Sequence, residues 1–402
     1  MTIVLKDLRV LGVAADVDRG TVVVGPDGRI RYAGPSAAAP EVEGAALALP
    51  GHTVAAGLID IHTHGGHGIT FGAGAGQVVC AALEADLRAY AAWVATTGVT
   101  GFLLSIAAPD RAALHTLVEI YAAIFSAWPD VSSEAVGARP LGLHLEGPYL
   151  NPVRKGAFNP TWLRAPRVQE VEALIDAGQG WVRQMTLAPE LPGALEVAAL
   201  LRRRGVVPAL GHSETDYESA AAALRDHFNH VTHAFNAQLG FHHRRPGVLG
   251  AVLTSDGVTA ELIADTVHVH PGAMKVLLRC LGTGRVVLVT DAMAAAGLGD
   301  GRYDLLGETV FVKDGQARHA DGTIASSTAT LDLCVRNMVR VVGVTLPEAL
   351  AMASHNPARA LALEDRFGSL AEGRVADLVV LDPDLRVALT VVGGQIVYQA
   401  GR

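Results

Sequence analysis

AGLIDIHTH at residues 56–64 reads as a strand, and the pattern that begins there decides the fold. A stretch with helical spacing leads into VTGFLLSIA (99–107), an apolar run of β-prone residues, and the same alternation then repeats along the chain. Strand-like runs recur at RPLGLHLEG (139–147), VRQMTLAPE (182–190), VVPALGHS (206–213), NHVTHAFN (229–236), VTAELIADTVHV (258–269) and RVVLVTDAM (285–293). Strands separated by helices run parallel. Eight such units closed on themselves make an α/β, TIM-type (β/α)8 barrel whose working groups sit at the C-terminal ends of the strands.

Outside this rhythm the chain is different. TIVLKDLRV and TVVVGPDGRIRYAG near the N-terminus alternate like strands around a Pro26-Asp27-Gly28 turn, and ADLVVLDPDLRVALTVVGGQIVYQAG near the C-terminus does the same around Gly393-Gly394. Chain ends commonly lie close together. Residues 1–52 and 368–402 are therefore expected to pair into a small discontinuous β-sandwich module, with residues 53–367 as the barrel.

The 402 residues carry 50% hydrophobic and 18% charged side chains, which fits a compact core and excludes disorder. A net charge of -8 disfavours nucleic acid or an anionic membrane as the main partner, while leaving room for an anionic small molecule bound by a local arginine. Cys80, Cys280 and Cys334 are odd in number and widely spaced, so they suggest neither a disulfide framework nor a thiolate metal site, and a reducing cytoplasm is expected. The N-terminus lacks the apolar stretch of a signal peptide. Ala89 to Pro109 runs 21 residues without a charge, but helical spacing gives way to strand at Thr96-Thr97-Gly98, so a buried helix and strand are expected rather than a membrane span.

Five of the eight strands end in a residue that can bind a divalent metal: His62 and His64 on the first, Glu146 on the third, His212 on the fifth, His233 on the sixth and Asp291 on the eighth. Residues two apart on a strand share a face, so His62 and His64 point into the barrel while Ile61 and Thr63 face the helices. Any one histidine at a strand end is ordinarily a hydrogen-bonded polar residue. Six donors reaching one mouth from separate strands are a different matter, because buried carboxylates there need a cation. Imidazole and carboxylate without thiolate suit zinc, iron or manganese better than calcium.

These residues and their surroundings resemble the amidohydrolase superfamily, and within it the N-acetylglucosamine-6-phosphate deacetylase family. The likeness covers nearly the whole chain and is carried by GLIDIHTHGGHGITF (57–71), GLHLEGPYLNPVRKGAFNP (142–160), LAPE (187–190), GHSETDY (211–217), THAFNA (232–237), RRPG (244–247), VTDAM (289–293), HNPA (355–358) and GSLAEGRVADLVVLD (368–382). The resemblance implies a metal-dependent hydrolase that removes acetate from an amino-sugar phosphate in amino-sugar catabolism. It implies Glu146, His212 and His233 as ligands of a main ion, His62 and His64 as donors to a second, and one or two ions per subunit, zinc foremost with iron or manganese as alternatives. Asp291 matches the catalytic aspartate and His268 a substrate-binding and catalytic histidine; Asn236 and Ala237 match phosphate-holding positions. Arg244 matches an arginine that neutralises the phosphate, often from the neighbouring subunit, so a homodimer is implied. Ala157, Phe158, Asp265, Ile324, Ala325 and Ser326 complete the expected substrate contacts.

The chemistry agrees with this. A bound divalent ion lowers the pKa of water to roughly 7, and one carboxylate, Asp291, can serve as base and then as acid. Two positions depart from the family. Phe158 stands where a substrate-contacting histidine is usual, so that His67, His242 or His243 has to replace it or the sugar is another hexosamine such as galactosamine. Ser326 stands where glycine is common, in a stretch expected to be a loop near the ligand. His144 shares a face with Glu146 and reads as a support for the ligands or as a satisfied core residue. GAGAG (72–76) reads as a flexible loop, because it lacks the lysine and the strand-to-helix setting of a phosphate loop, and Cys334 reads as core.

Overall fold

The computed structural model describes residues 1–12, 16–72, 80–129 and 136–401. Its eight parallel strands fall where the alternation places them: Leu58–Thr63, Val99–Ile106, Arg139–Glu146, Val182–Leu187, Val207–Leu210, His230–Val231, Thr259–Ile263 and Val286–Val289. Each pairs in parallel with the next in sequence. The barrel closes at its C-terminal end, where the Asp291 amide donates to the His62 carbonyl and the His64 amide to the Ala292 carbonyl, both at 2.8 Å. Closure and candidate chemistry therefore share the same residues.

Several strands stop earlier than their apolar runs. His212 and His233 lie just beyond strand ends, with φ of 50° and 27°, and Asp291 has φ 47°. Such left-handed backbone is uncommon outside glycine and turns side chains where a continuing pleat would not. A helix follows every strand, the first being Cys80–Ala95, and the sheet and helices enclose a large apolar core that includes Leu87, Phe102, Leu143, Met185, Leu201 and Leu288. The uncharged window 89–109 is the end of that helix and the buried second strand, and no described helix is long and apolar enough to cross a membrane.

Strands from both ends of the chain join one eight-stranded sheet in which Ile3–Val10 pairs with Val17–Val24, Ala45–Ala48 and Thr53–Ala56. Thr53–Ala56 in turn pairs antiparallel with Leu378–Leu381, so this strand, just past the expected boundary at residue 52, belongs to the terminal sheet. The sheet has its own apolar cluster, with Leu5, Val22, Val54, Leu378, Leu389 and Val391 buried. Thr390 Oγ1 donates to the Ala95 carbonyl at 2.7 Å, and Val379 and Leu381 reach the barrel core, which docks the sheet on the barrel.

One element has no counterpart in the sequence reading. Gly301–Leu305, Glu308–Lys313, Gln316–Arg318 and Ile324–Ser326 form a four-stranded antiparallel sheet after the eighth strand. Residues 324–326, expected in a loop, form its last strand. The stretch is short-stranded and half-exposed, so its alternation is weak, but Leu305, Val310, Val312 and Ala317 bury a small core with Met293 and Ala295.

Candidate metal centre and active-site cleft

Each first-strand histidine has a separate anchor. His62 Nδ1 donates to Glu261 Oε2 at 2.8 Å, which in a neutral ring would leave Nε2 as the lone-pair nitrogen, 3.4 Å from Glu146 Oε2 and 3.5 Å from Asp291 Oδ1 with no hydrogen-bond partner. His64 Nε2 lies 2.8 Å from Glu146 Oε2 and 3.5 Å from Asp291 Oδ1. Thr63, between them, turns the other way, its Oγ1 3.1 Å from Tyr90 Oη on the first helix.

On the other side of Glu146, His212 Nε2 and His233 Nε2 each stand 3.1 Å from Oε1 and 3.0 Å from one another. His212 Nδ1 donates to the Arg154 carbonyl at 2.7 Å, so in a neutral ring Nε2 would turn a lone pair on a carboxylate oxygen and on a second imidazole. Only a proton or a metal cation between them resolves this. The orphaned His62 Nε2 makes the same demand. The donor atoms form two sets, His62, His64 and Asp291, and Glu146, His212 and His233, each within 4.8 Å, with Glu146 between them. Their residues fit divalent metal.

The electrostatics follow from burial and proximity. Burial acts to raise the pKa of Glu146, but the charge of His62 and the hydrogen bonds of His212 and His233 outweigh it and hold the carboxyl well below its usual range. Glu261 is governed likewise: burial opposes ionisation, and His62 and His230 override it.

Glu261 is the residue the sequence reading missed. Fully buried, it accepts from His62 Nδ1 and, at 3.1 Å, from the His233 backbone amide, while Gln184 Nε2 donates to its other oxygen at 2.8 Å. It therefore ties both donor sets to the seventh strand. A glutamate alone in the apolar run TAELIA is the signal that marks it. Asp60 also escapes the sequence reading; it accepts from Thr290 Oγ1 at 2.6 Å, and burial, against the Thr290 hydrogen bonds, pushes its pKa up to about 6. His144 is both satisfied and supportive: its ring nitrogens pair with Ser105 Oγ and Thr186 Oγ1 at 2.8 and 2.7 Å, and its ring packs edge-on to His62.

Beside the donors lies a cleft of about 320 Å³ lined by Ala157, Phe158, Asn236, Ala237, His268, Asp291, Ile324, Ala325 and Ser326, together with His64, Glu146, His212 and His233. Asp265 stands behind His268 and accepts from its Nδ1 at 2.6 Å, leaving Nε2 as the free ring nitrogen. Phe158 packs edge-on to His212 with ring centroids 5.5 Å apart. Ser326 is buried, and its hydroxyl donates to the Asp291 carbonyl, so it fixes the aspartate's backbone rather than adding loose bulk.

Arg244 is exposed and is not among the residues lining this cleft within one chain. His67, His242 and His243 do not line it either; His67 stacks on Trp93, and the His242 and His243 rings lie tilted against each other. None of the three replaces the missing histidine within one chain. Of GAGAG, residues 73–76 lie outside the described residues. Cys334 is fully buried in helix Leu331–Asn337, and burial pushes its thiol pKa well up.

The chain belongs to the amidohydrolase family, whose model matches residues 53–397. Within that family it is similar to amino-sugar-phosphate deacetylases. N-acetylgalactosamine-6-phosphate deacetylase of Escherichia coli O157:H7 is 40% identical over 339 residues, 84% of this chain and 86% of the relative. N-acetylglucosamine-6-phosphate deacetylase of Vibrio furnissii is 37% identical over 345 residues, 86% of this chain and 82% of the relative. The crystal structure of N-acetyl-D-glucosamine-6-phosphate deacetylase from Mycobacterium smegmatis superposes with a TM-score of 0.88 at 35% identity, covering 99% of this chain and 100% of that one.

Proposed function

We propose that this metal-dependent amidohydrolase cleaves the acetamide of N-acetyl-D-glucosamine 6-phosphate with water, giving glucosamine 6-phosphate and acetate in amino-sugar catabolism. The observation that carries the reading is the meeting of His64, Glu146, His212, His233 and Asp291 at the wall of a cleft sized for a monosaccharide, with His62 buried behind them. Glu146, His212 and His233 would hold the main ion, zinc foremost with iron or manganese as alternatives, and His62 and His64 a second. A divalent cation there supplies Lewis acidity, which acidifies a water and polarises the acetyl carbonyl.

The chain's own groups do the rest. Asp291 takes a proton from the attacking water and returns it to the amine nitrogen as the C–N bond breaks. His268, held by Asp265, offers Nε2 to the acetamide side of the sugar. Asn236 and Ala237 hold the phosphate end, and Arg244 reaches it from a second copy of the chain in a homodimer, which accounts for its exposure in one protomer. The cytoplasm is the proposed compartment, on the widely spaced cysteines and a small phosphorylated substrate.

A second reading, the galactosamine epimer, is favoured by Phe158 in the cleft and by the 40% identity to a deacetylase of that sugar phosphate. A turnover screen of metal-replete enzyme over both epimers, with and without the 6-phosphate, tests the proposal. Fastest turnover of the phosphorylated gluco epimer is expected. Faster galacto turnover selects the second reading, equal rates without phosphate remove the role of Arg244, and no turnover of any acetylated sugar overturns both readings.

A further inference from the structure

At the opposite end of the barrel from the metal centre, a second cavity of about 230 Å³ opens between the starts of the third and fourth strands. Arg139, Arg183 and Arg366 line it, between walls of Trp128, Trp181 and Phe367. Strand geometry of about 3.3 Å per residue puts Arg139 roughly 23 Å from Glu146 at the far end of the same strand, so this cavity is separate from the cleft.

The charges here do not balance among the described residues. Asp377 is the one carboxylate that pairs with the three guanidiniums, at 3.4 Å from Arg139 Nη2, and it already accepts the Gly393 amide at 2.7 Å. Arg139 Nη1 is buried with no hydrogen-bond partner, which is costly for a charged donor. Half-buried Arg183 uses only Nε, at 3.3 Å from the Leu141 carbonyl, and Arg366, exposed to solvent, makes no hydrogen bond to a described residue and stands against the Phe367 ring. Arg139 lies over the same ring, 5.3 Å from its centroid. Proximity is mutual: burial and the neighbouring Arg366 both lower the pKa of Arg183.

Asp377 accounts for Arg139 structurally, whereas the donors of half-buried Arg183 and solvent-exposed Arg366 face water and are open to a ligand. We infer that this cavity binds a small organic anion with a flat apolar body, its carboxylate or phosphate on Arg139, Arg183 and Arg366 and its ring between the tryptophans and Phe367. Guanidinium forks match both oxyanions, and arginine and tryptophan also take the face of a planar ligand. The volume, below the usual 300–1,000 Å³ of drug-sized pockets, restricts the ligand to roughly one ring and excludes a nucleotide.

Trp128 and Trp181 report on occupancy directly. Benzoate, phenyl phosphate and inorganic phosphate are titrated against the metal-loaded enzyme by tryptophan fluorescence and by calorimetry. Saturable binding of an aromatic anion is expected, weakened about tenfold or more in Arg183→Ala and in Arg366→Ala, with inorganic phosphate binding more weakly than phenyl phosphate. Both variants lie outside the catalytic machinery, so unchanged turnover shows that they are folded. Absence of saturable binding, or binding that both variants retain in full, overturns the inference. Asp130 and Glu134 lie outside the described residues and close to Pro129 in sequence; binding seen only in the double variant Asp130→Asn/Glu134→Gln also overturns it, by making the arginines an internal ion-pair site.

Discussion

The mouth of the barrel and the sheet built from the chain ends differ in what holds them. In the terminal sheet, alternating residues such as Leu378 and Val380 are buried on an apolar cluster, and irregularities such as the bulge at left-handed Asp7 interrupt the strands without ending them. At the mouth, strands break off, His212, His233 and Asp291 take left-handed backbone, and buried charges face each other. One region is stabilised by its packing. The other is held against its local preferences by closure hydrogen bonds and by carboxylates such as Glu261, and its facing groups need protons or metal cations between them. Changes at the mouth should therefore act on chemistry and metal content, and changes in the sheet on stability alone.

The largest break in that division should come from Asp291→Asn. Turnover should fall by about a thousandfold, the usual scale for removing a positioned acid and base, while the ion held by Glu146, His212 and His233 remains. Rapid turnover by the variant, with metal measured on the same sample, rejects the aspartate's role.

The sheet supplies the matching test. Leu378→Ala removes a fully buried side chain and should cost about 2–5 kcal/mol in denaturant unfolding. Metal per chain and KM should not change. A loss of metal in this variant would mean that sheet and mouth are one cooperative unit, and the contrast between them would fail.

His62→Ala sharpens the mouth itself. If His62 and His64 hold a second ion, elemental analysis should show one ion fewer per chain, with the first retained. Glu261→Gln should weaken the same ion without removing a ligand, because an amide no longer compels the His62 Nδ1–H tautomer that frees Nε2. Unchanged stoichiometry in both variants would reduce the first-strand pair to structural hydrogen bonding.

The same contrast explains what was legible in the sequence. Eight apolar runs sufficed for the barrel, since burial on both faces of a parallel sheet leaves a local signature that needs no long-range information. The six candidate donors were legible for a related reason: each is a polar residue at the end of an apolar run, and the barrel sends all such ends to one mouth. Glu261 was hidden because it sits inside a run rather than at its end. Its role depends on His62, Gln184 and the His233 amide arriving from three other strands. The four-stranded insert at 301–326 was hidden because its strands are short and half-exposed.

The smallest effect probes the seam between the two regions. Asp377 is buried at the base of the terminal sheet, and burial, opposed by Arg139, raises its pKa above the ordinary 3.8. Since the folded form holds the proton more tightly than the unfolded chain, this group favours folding fully below the unfolded value, and that contribution is lost as the pH rises through the raised folded value. Asp377→Asn should remove this decline, so that Tm measured from pH 4 upward falls less for the variant than for the parent. At neutral pH the variant also loses the Arg139 pair, which acts in the opposite direction, so the diagnostic quantity is the slope with pH and not the absolute Tm. Parallel slopes would show that Arg139 keeps Asp377 ionised throughout, and the seam would then be an ion pair rather than a carboxyl group protonated by burial.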